Sequence, residues 1–170
     1  MRRIGPLLLV VIGGLLLAGS IALGLYTQAV NNPGSEPTPN TLAGLSLSQL
    51  STGQAAVKEV ASLHGQGFPL VSGAIAVYGG GAATVWVTGT LLDPLAAQMV
   101  TAMETRIAQG NSPFTPAGRR TALDGRAVHE LTGMGQRHFY FQAGRRVVWL
   151  AADAALAEPA LTELLAFYPR

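Results

Sequence analysis

Three side chains able to move a proton or hold a metal lie close together in the chain: His129 and Glu130 before Gly133-Met134-Gly135, and His138 after it. If that glycine-bounded turn closes a hairpin, His138 meets either His129 or Glu130 across the strands, and one residue of register decides which. The trio could act as acid and base, or furnish three ligands of a zinc shell. No helical His-x-x-x-His spacing fixes a metal geometry, and no cysteine supplies a thiolate. No metal and no cofactor is assigned, and an envelope enzyme or metal-binding protein built on His129, His138 and Glu130 is the alternative rather than the leading reading.

Other chemistry-bearing residues have ordinary roles. His64 stands before Gly65 at the expected end of a helix, where an imidazole suits the terminal carbonyls and the dipole. Gly79-Gly80-Gly81 leads into a strand without Lys-Ser or Lys-Thr, so it is a turn and not a phosphate loop. Gly-x-Ser-x-Gly and Ser-x-x-Lys are both absent. The pairs Arg119-Arg120 and Arg145-Arg146 suit solvated strand ends or contacts to anionic groups. Met99 and Met103 lie on a core stripe, and no partner ligand accompanies them or Met134.

The elements that position these residues read as helix, two strands, helix, three strands, helix. A Ser51-x-x-Gln54 capping box opens the first helix, with Ala56, Val57, Val60 and Leu63 as its apolar stripe. Leu70 to Tyr78 and Ala82 to Leu91 form a hairpin about the glycine triplet, with Ile75 facing Val85. Asp93-Pro94 starts a helix carrying Ala96, Met99, Val100, Met103 and Ile107. Strands near 121–132, 136–143 and 145–152 follow, and Glu158-Pro159 opens a helix with Leu161, Leu164, Leu165 and Tyr168 on one side. The expected class is α+β: a two-layer domain with an antiparallel or mixed five-stranded sheet and about three helices, order αββαβββα.

Alternation then places Trp86, Tyr140, Trp149, His138 and Tyr78 on one sheet face amid Thr, Ser and Ala, with Phe139, Phe141, Val148 and Leu150 on the other. With helices on one face, the aromatic face is a candidate surface for a ligand or partner. The competing expectation is that a loop at 110–120, carrying Phe114 between Pro113 and Pro116, folds over and buries it.

Ahead of the domain, Ile4 to Tyr26 is uncharged and mostly apolar behind Arg2 and Arg3. At about 1.5 Å per residue it crosses a hydrocarbon core of about 30 Å. The arginines place residues 1–3 in the cytoplasm and the rest in a periplasm or extracellular space. Cleavage near Thr27-Gln28-Ala29, releasing a soluble periplasmic binding protein, is the competing expectation. Gly14, Ala18 and Ala22 clear one helix face for close approach of another helix. Residues 27–45, rich in Pro and polar side chains, read as a semi-rigid linker, and residues 46–170 as the exported domain.

From Asn31 onward nine basic residues balance nine acidic ones, so the formal +2 of the chain resides in Arg2 and Arg3. That balance argues against nucleic-acid binding. The leading expectation is a membrane-anchored extracytoplasmic interaction or ligand-binding module. It would be a non-catalytic accessory subunit, with the bilayer and another membrane or envelope protein as partners.

Overall fold

The apolar alternation of the second half of the chain builds one large sheet. The computed structural model describes residues 4–64, 68–110 and 112–170. The helices are α1 (Ile4–Asn31), α2 (Gly53–His64), α3 (Asp93–Ala108) and α4 (Ala157–Phe167). The strands are β1 (Gly34–Ser35), β2 (Thr41–Leu42), β3 (Leu45–Thr52), β4 (Leu70–Tyr78), β5 (Ala83–Thr90), β6 (Thr115–Thr121), β7 (Ala127–Gly133), β8 (Gln136–Ala143) and β9 (Arg146–Ala152). They lie in the order β2-β3-β4-β5-β9-β8-β7-β6, and β1 continues the β3 edge by pairing with the start of β4. Every pair is antiparallel except β1 with β4.

The class is α+β, with nine strands where five are expected. In β3, Leu45 and Leu47 alternate with Ser46 and Ser48, a weak period-two signal within a stretch read as linker and helix start. Ser51 pairs with Ile75 in this strand, so it caps nothing, and α2 begins at Gly53 with φ of 61°. β6 is exposed along its whole length, and Pro116, Arg119 and Arg120 suit an edge that must not recruit another strand. Gly65, expected to end α2, lies outside the described residues together with Arg2 and Arg3, and the His64 side chain is not described.

Helices cover both faces, so the two-layer expectation gives way to three layers. Ala56 and Val60 of α2 and Ala96, Met99, Met103 and Ile107 of α3 pack with Ile75, Leu131, Tyr140 and Val147. On the other face, Ala160, Leu161, Leu164 and Tyr168 pack with Val85, Phe139, Phe141, Val148 and Leu150. Of the stripes expected for α3 and α4, Ala96, Met99, Met103, Ile107, Leu161, Leu164 and Tyr168 are buried, and Val100 and Leu165 are partly so. Asp93 and Pro94 occupy the first turn of α3, but Leu92 is the cap residue and no side chain caps it.

Of the expected linker, residues 27–31 continue α1, and residues 34–45 are built into the domain. Residues 36–43 cross the α4 face as a strap with Leu42 fully buried. The Tyr168 and Tyr78 hydroxyls donate to the carbonyls of Pro37 and Pro39 at 2.6 and 2.7 Å. Glu36 is 5% exposed, accepts from Ser72 Oγ and pairs with Arg146. Gly89 makes room for this cluster, because a Cβ there would come within 2.6 Å of Glu36 Oε1.

α1 is continuous to Asn31, five residues beyond the expected span. Its section Leu8–Asn31, 24 residues, is long and apolar enough to cross a membrane or to serve as a signal sequence.

Candidate functional site

One rung of the sheet carries most of the singled-out residues. Cross-strand pairing runs Arg119, His129, Tyr140, Trp149, Trp86, Ile75 across six strands from β6 to β4. Because side chains alternate between sheet faces, these lie together, and His138 joins them two residues from Tyr140. Trp86 and Trp149 are direct partners on one face, as the alternation implies. A two-residue loop in the final hairpin would pair His138 with Trp149 and Tyr140 with Val147; the observed register pairs Tyr140 with Trp149, a two-residue shift that leaves both on the expected face.

Tyr78 does not belong to this group. The β4–β5 connection holds Ala82 as well as the three glycines, so Tyr78 pairs with Ala83 and Ile75 with Trp86. A one-residue slip reverses facing, and Tyr78 sits in the opposite core against the strap. Burial pushes its phenol up to about 12.

The aromatic rung is not an open surface. Tyr140 and His138 are 2% and 4% exposed, while Trp86 and Trp149 are half-buried under α3 and Phe114. Tyr140 stacks between His129 and Trp149, with ring centroids 4.5 and 5.3 Å away. Phe114 closes the end, 4.6 Å from His138 and 5.1 Å from Trp149. Gly133 permits this, since a Cβ there would lie 2.7 Å from the Phe114 ring. Phe114, just before β6, covers the His138 and Trp149 end of the row and α3 covers the rest, whereas residues 115–121 of the expected covering loop form the exposed strand β6.

Bonding fixes the tautomer of His138. Trp149 Nε1 donates to His138 Nδ1 at 3.2 Å, which leaves Nε2 to donate to the Gly133 carbonyl at 3.0 Å. This is the neutral tautomer, and burial holds the imidazole below its usual range. His129 Nδ1 lies 3.0 Å from Glu104 of α3. Burial lowers its pKa and Arg119 adds to that, against the pull of Glu104. Glu130, next to His129, faces the other side of β7, where Arg137 holds it. The three candidates for shared proton or metal chemistry therefore do not converge. Among the described residues, no group of three His, Asp or Glu side chains is placed to hold a metal.

Beside the covered rung, an open groove of about 470 Å³ lies between α3 and the β6–β8 side of the sheet. Asp93, Glu104, Arg119, His129, Gln142 and Arg170 bring both signs of charge to its lining. Arg119, expected with Arg120 at a solvated strand end or in contact with an anionic group, lines this groove; Glu104 carries no motif that would single it out, although it follows Val100 by four residues and so shares its helix face. Arg126, also at the groove, is spent on structure, donating to the Tyr168 and Leu165 carbonyls at the end of α4. On α1, a Cβ added at Gly14 would meet nothing within 4 Å, and Ala18 and Ala22 are exposed. No family model, curated protein or solved structure matches this chain.

Proposed function

We propose that this protein is a single-pass membrane module with its N-terminus in the cytoplasm. Its exported, non-catalytic domain docks another membrane or envelope protein through the groove beside α3. The observation that carries this reading is the division of polar groups. His138, His129 and Glu130 are committed to Trp149 and Gly133, to Glu104, and to Arg137. Arg119, by contrast, is 65% exposed at an open groove of mixed charge, where its pairing with Glu104 is a long, solvated 3.9 Å contact. Such a lining suits a polar protein surface, where paired charges set orientation and specificity. The face of Gly14, Ala18 and Ala22 would add a helix-to-helix contact within the bilayer.

The alternative enzyme reading loses the support it drew from proximity in sequence, because Glu130 faces away from both histidines. The aromatic face gives way to the groove as the docking surface, since its residues are packed against α3 and Phe114.

The test exploits the absence of cysteine. Ser48→Cys in the full chain should react with a membrane-impermeant maleimide in intact cells, and the protein should stay in carbonate-washed membranes at full length. Detergent co-purification should recover a partner that Arg119→Glu loses. Labelling only after lysis overturns the topology. A shortened, soluble product assigns the apolar helix as a cleaved signal. Co-purification unchanged by Arg119→Glu removes the groove.

A further inference from the structure

The connections at one end of the sheet carry most of the exposed large apolar side chains of the domain among the described residues. β1 runs parallel to β4 and enters beside its first residues, Gly34 opposite Ser72, so α1 leaves the domain from that end. From Leu8 to Leu25 its side chains are uncovered, whereas Ala29 and Val30 are half-buried against the domain. Only Asn32 and Pro33 separate helix from sheet. Asn32 N still donates to Gln28 O, and the Pro33 carbonyl abuts Gly53 at the start of α2. No flexible spacer lies between anchor and domain.

Three successive connections reach this same end: β5 to α3, β8 to β9, and β6 to β7. They present Leu91 and Leu92, then Arg145, then Leu123. Phe167 and Arg170 stand nearby at the end of α4, with Arg170 against Gly125 and Gly144. Outside α1, the exposed large apolar side chains among the described residues are Leu50, Leu91, Leu92, Leu123, Met134 and Phe167, and four of these six lie here. Leu92 is 57% exposed and Leu123 fully so. β5 and β7, whose ends carry these leucines, are three strand spacings apart, roughly 14 Å, so the leucines form a rim and not one contiguous patch.

We propose that this end of the sheet rests on the bilayer that holds α1, with Leu91, Leu92 and Leu123 entering the headgroup and upper acyl region. The inference deepens the membrane-anchor reading and rests on it. A short, ordered junction keeps the rim near the lipid surface, so each leucine meets the interface without a separate search cost. Apolar side chains buried about 5–10 Å into the interface suit that depth. Asp124 is tied to Arg126 and Glu36 to Arg146, which leaves Arg145 and Arg170 against Asp93. That small positive excess makes the apolar contact dominant, so zwitterionic lipid is sufficient.

Full-length protein is reconstituted into phosphatidylcholine vesicles, with a polarity-sensitive fluorophore on Leu92→Cys, Leu123→Cys or Met134→Cys. Met134 lies at the opposite end of the sheet and is itself 79% exposed. Lipids brominated high on the acyl chain serve as quencher, and flotation reports anchoring separately. All three variants should float, with quenching at 92 and 123 severalfold greater than at 134. A Leu91→Asp, Leu92→Asp pair, exposed and outside the core, should weaken quenching at 123 while flotation persists. Floating protein with equal, weak quenching at all three sites overturns the lipid-contact proposal and leaves the anchor standing. Protein that fails to float overturns both.

Discussion

At the residue scale, the two tryptophans of the central rung differ in a way that mutation can separate. Trp149 donates to His138, whereas Trp86 Nε1 is buried and lacks a hydrogen-bond partner among the described residues. A buried polar group without a partner costs about 1–3 kcal/mol, so deleting an orphaned donor relieves that cost, whereas deleting one member of a pair imposes it on the other. Trp86→Phe should therefore change unfolding free energy by less than about 1 kcal/mol, since relief of the donor offsets the lost area. Trp149→Phe should destabilise by about 1–3 kcal/mol, because it also strands His138 Nδ1. Urea denaturation of both variants decides it, and equal losses would remove the distinction. Trp149→Ala should cost about 3–5 kcal/mol, as a large core truncation does, so loss of binding in that variant would report unfolding rather than a docking site.

The same residues show what is legible in sequence. Strand alternation places Trp86, Tyr140, Trp149 and His138 together because a period of two needs only the strand to be recognised. It misplaces Tyr78 because facing also depends on turn length, and Ala82 joins the turn instead of the strand. Covering of the row by α3 and Phe114 is a tertiary fact that no strand pattern contains.

At the scale of elements, the strap is where local composition misleads. Asn31 to Asn40 contains three prolines and no large apolar side chain, which is how a solvated spacer reads. It is ordered by partners far along the chain: Ser72, Tyr78, Arg146 and Tyr168. β6 is equally hidden, since an edge strand exposed on both sides has no alternation to detect. The helices read more faithfully, because their apolar stripes repeat at a spacing set by the helix itself. Glu36 is the strap's polar anchor, and a charge-assisted hydrogen bond contributes roughly 1.5–3 kcal/mol. Glu36→Gln should lower unfolding free energy by about that amount and speed proteolysis between Pro37 and Ala43. A loss under about 0.5 kcal/mol, with unchanged cleavage, would mean that the tyrosine hydroxyls and Leu42 hold the strap alone.

At the scale of the whole molecule, buried titratable groups on the two sheet faces set a pH window for folding. Burial lowers the pKa of both His138 and His129 from 6.5, so the unfolded chain takes up these protons more readily than the folded one. Stability is then full above pH 6.5 and falls as pH drops through the folded values, with Trp149 losing its acceptor once His138 Nδ1 is protonated. Further acid loss follows below the carboxylate range, where Glu158, held low by Arg120 and then Arg137, and Asp124, held low by Arg126, must protonate. The alkaline side has the opposite sign. Burial raises Tyr78 and Tyr140 from 10.0 to about 12, so the unfolded chain ionises first and stability declines as pH rises above 10. Burial raises Tyr168 as well, so every phenol of the α4 face acts in the same sense. A melting-temperature profile should therefore be flat between about pH 6.5 and 10 and fall on both sides. His138 followed by NMR should titrate below 6.5. A His138 signal titrating at or above that value would mean the ring is not held neutral beneath Phe114, and with it the closed state of the aromatic rung would fail.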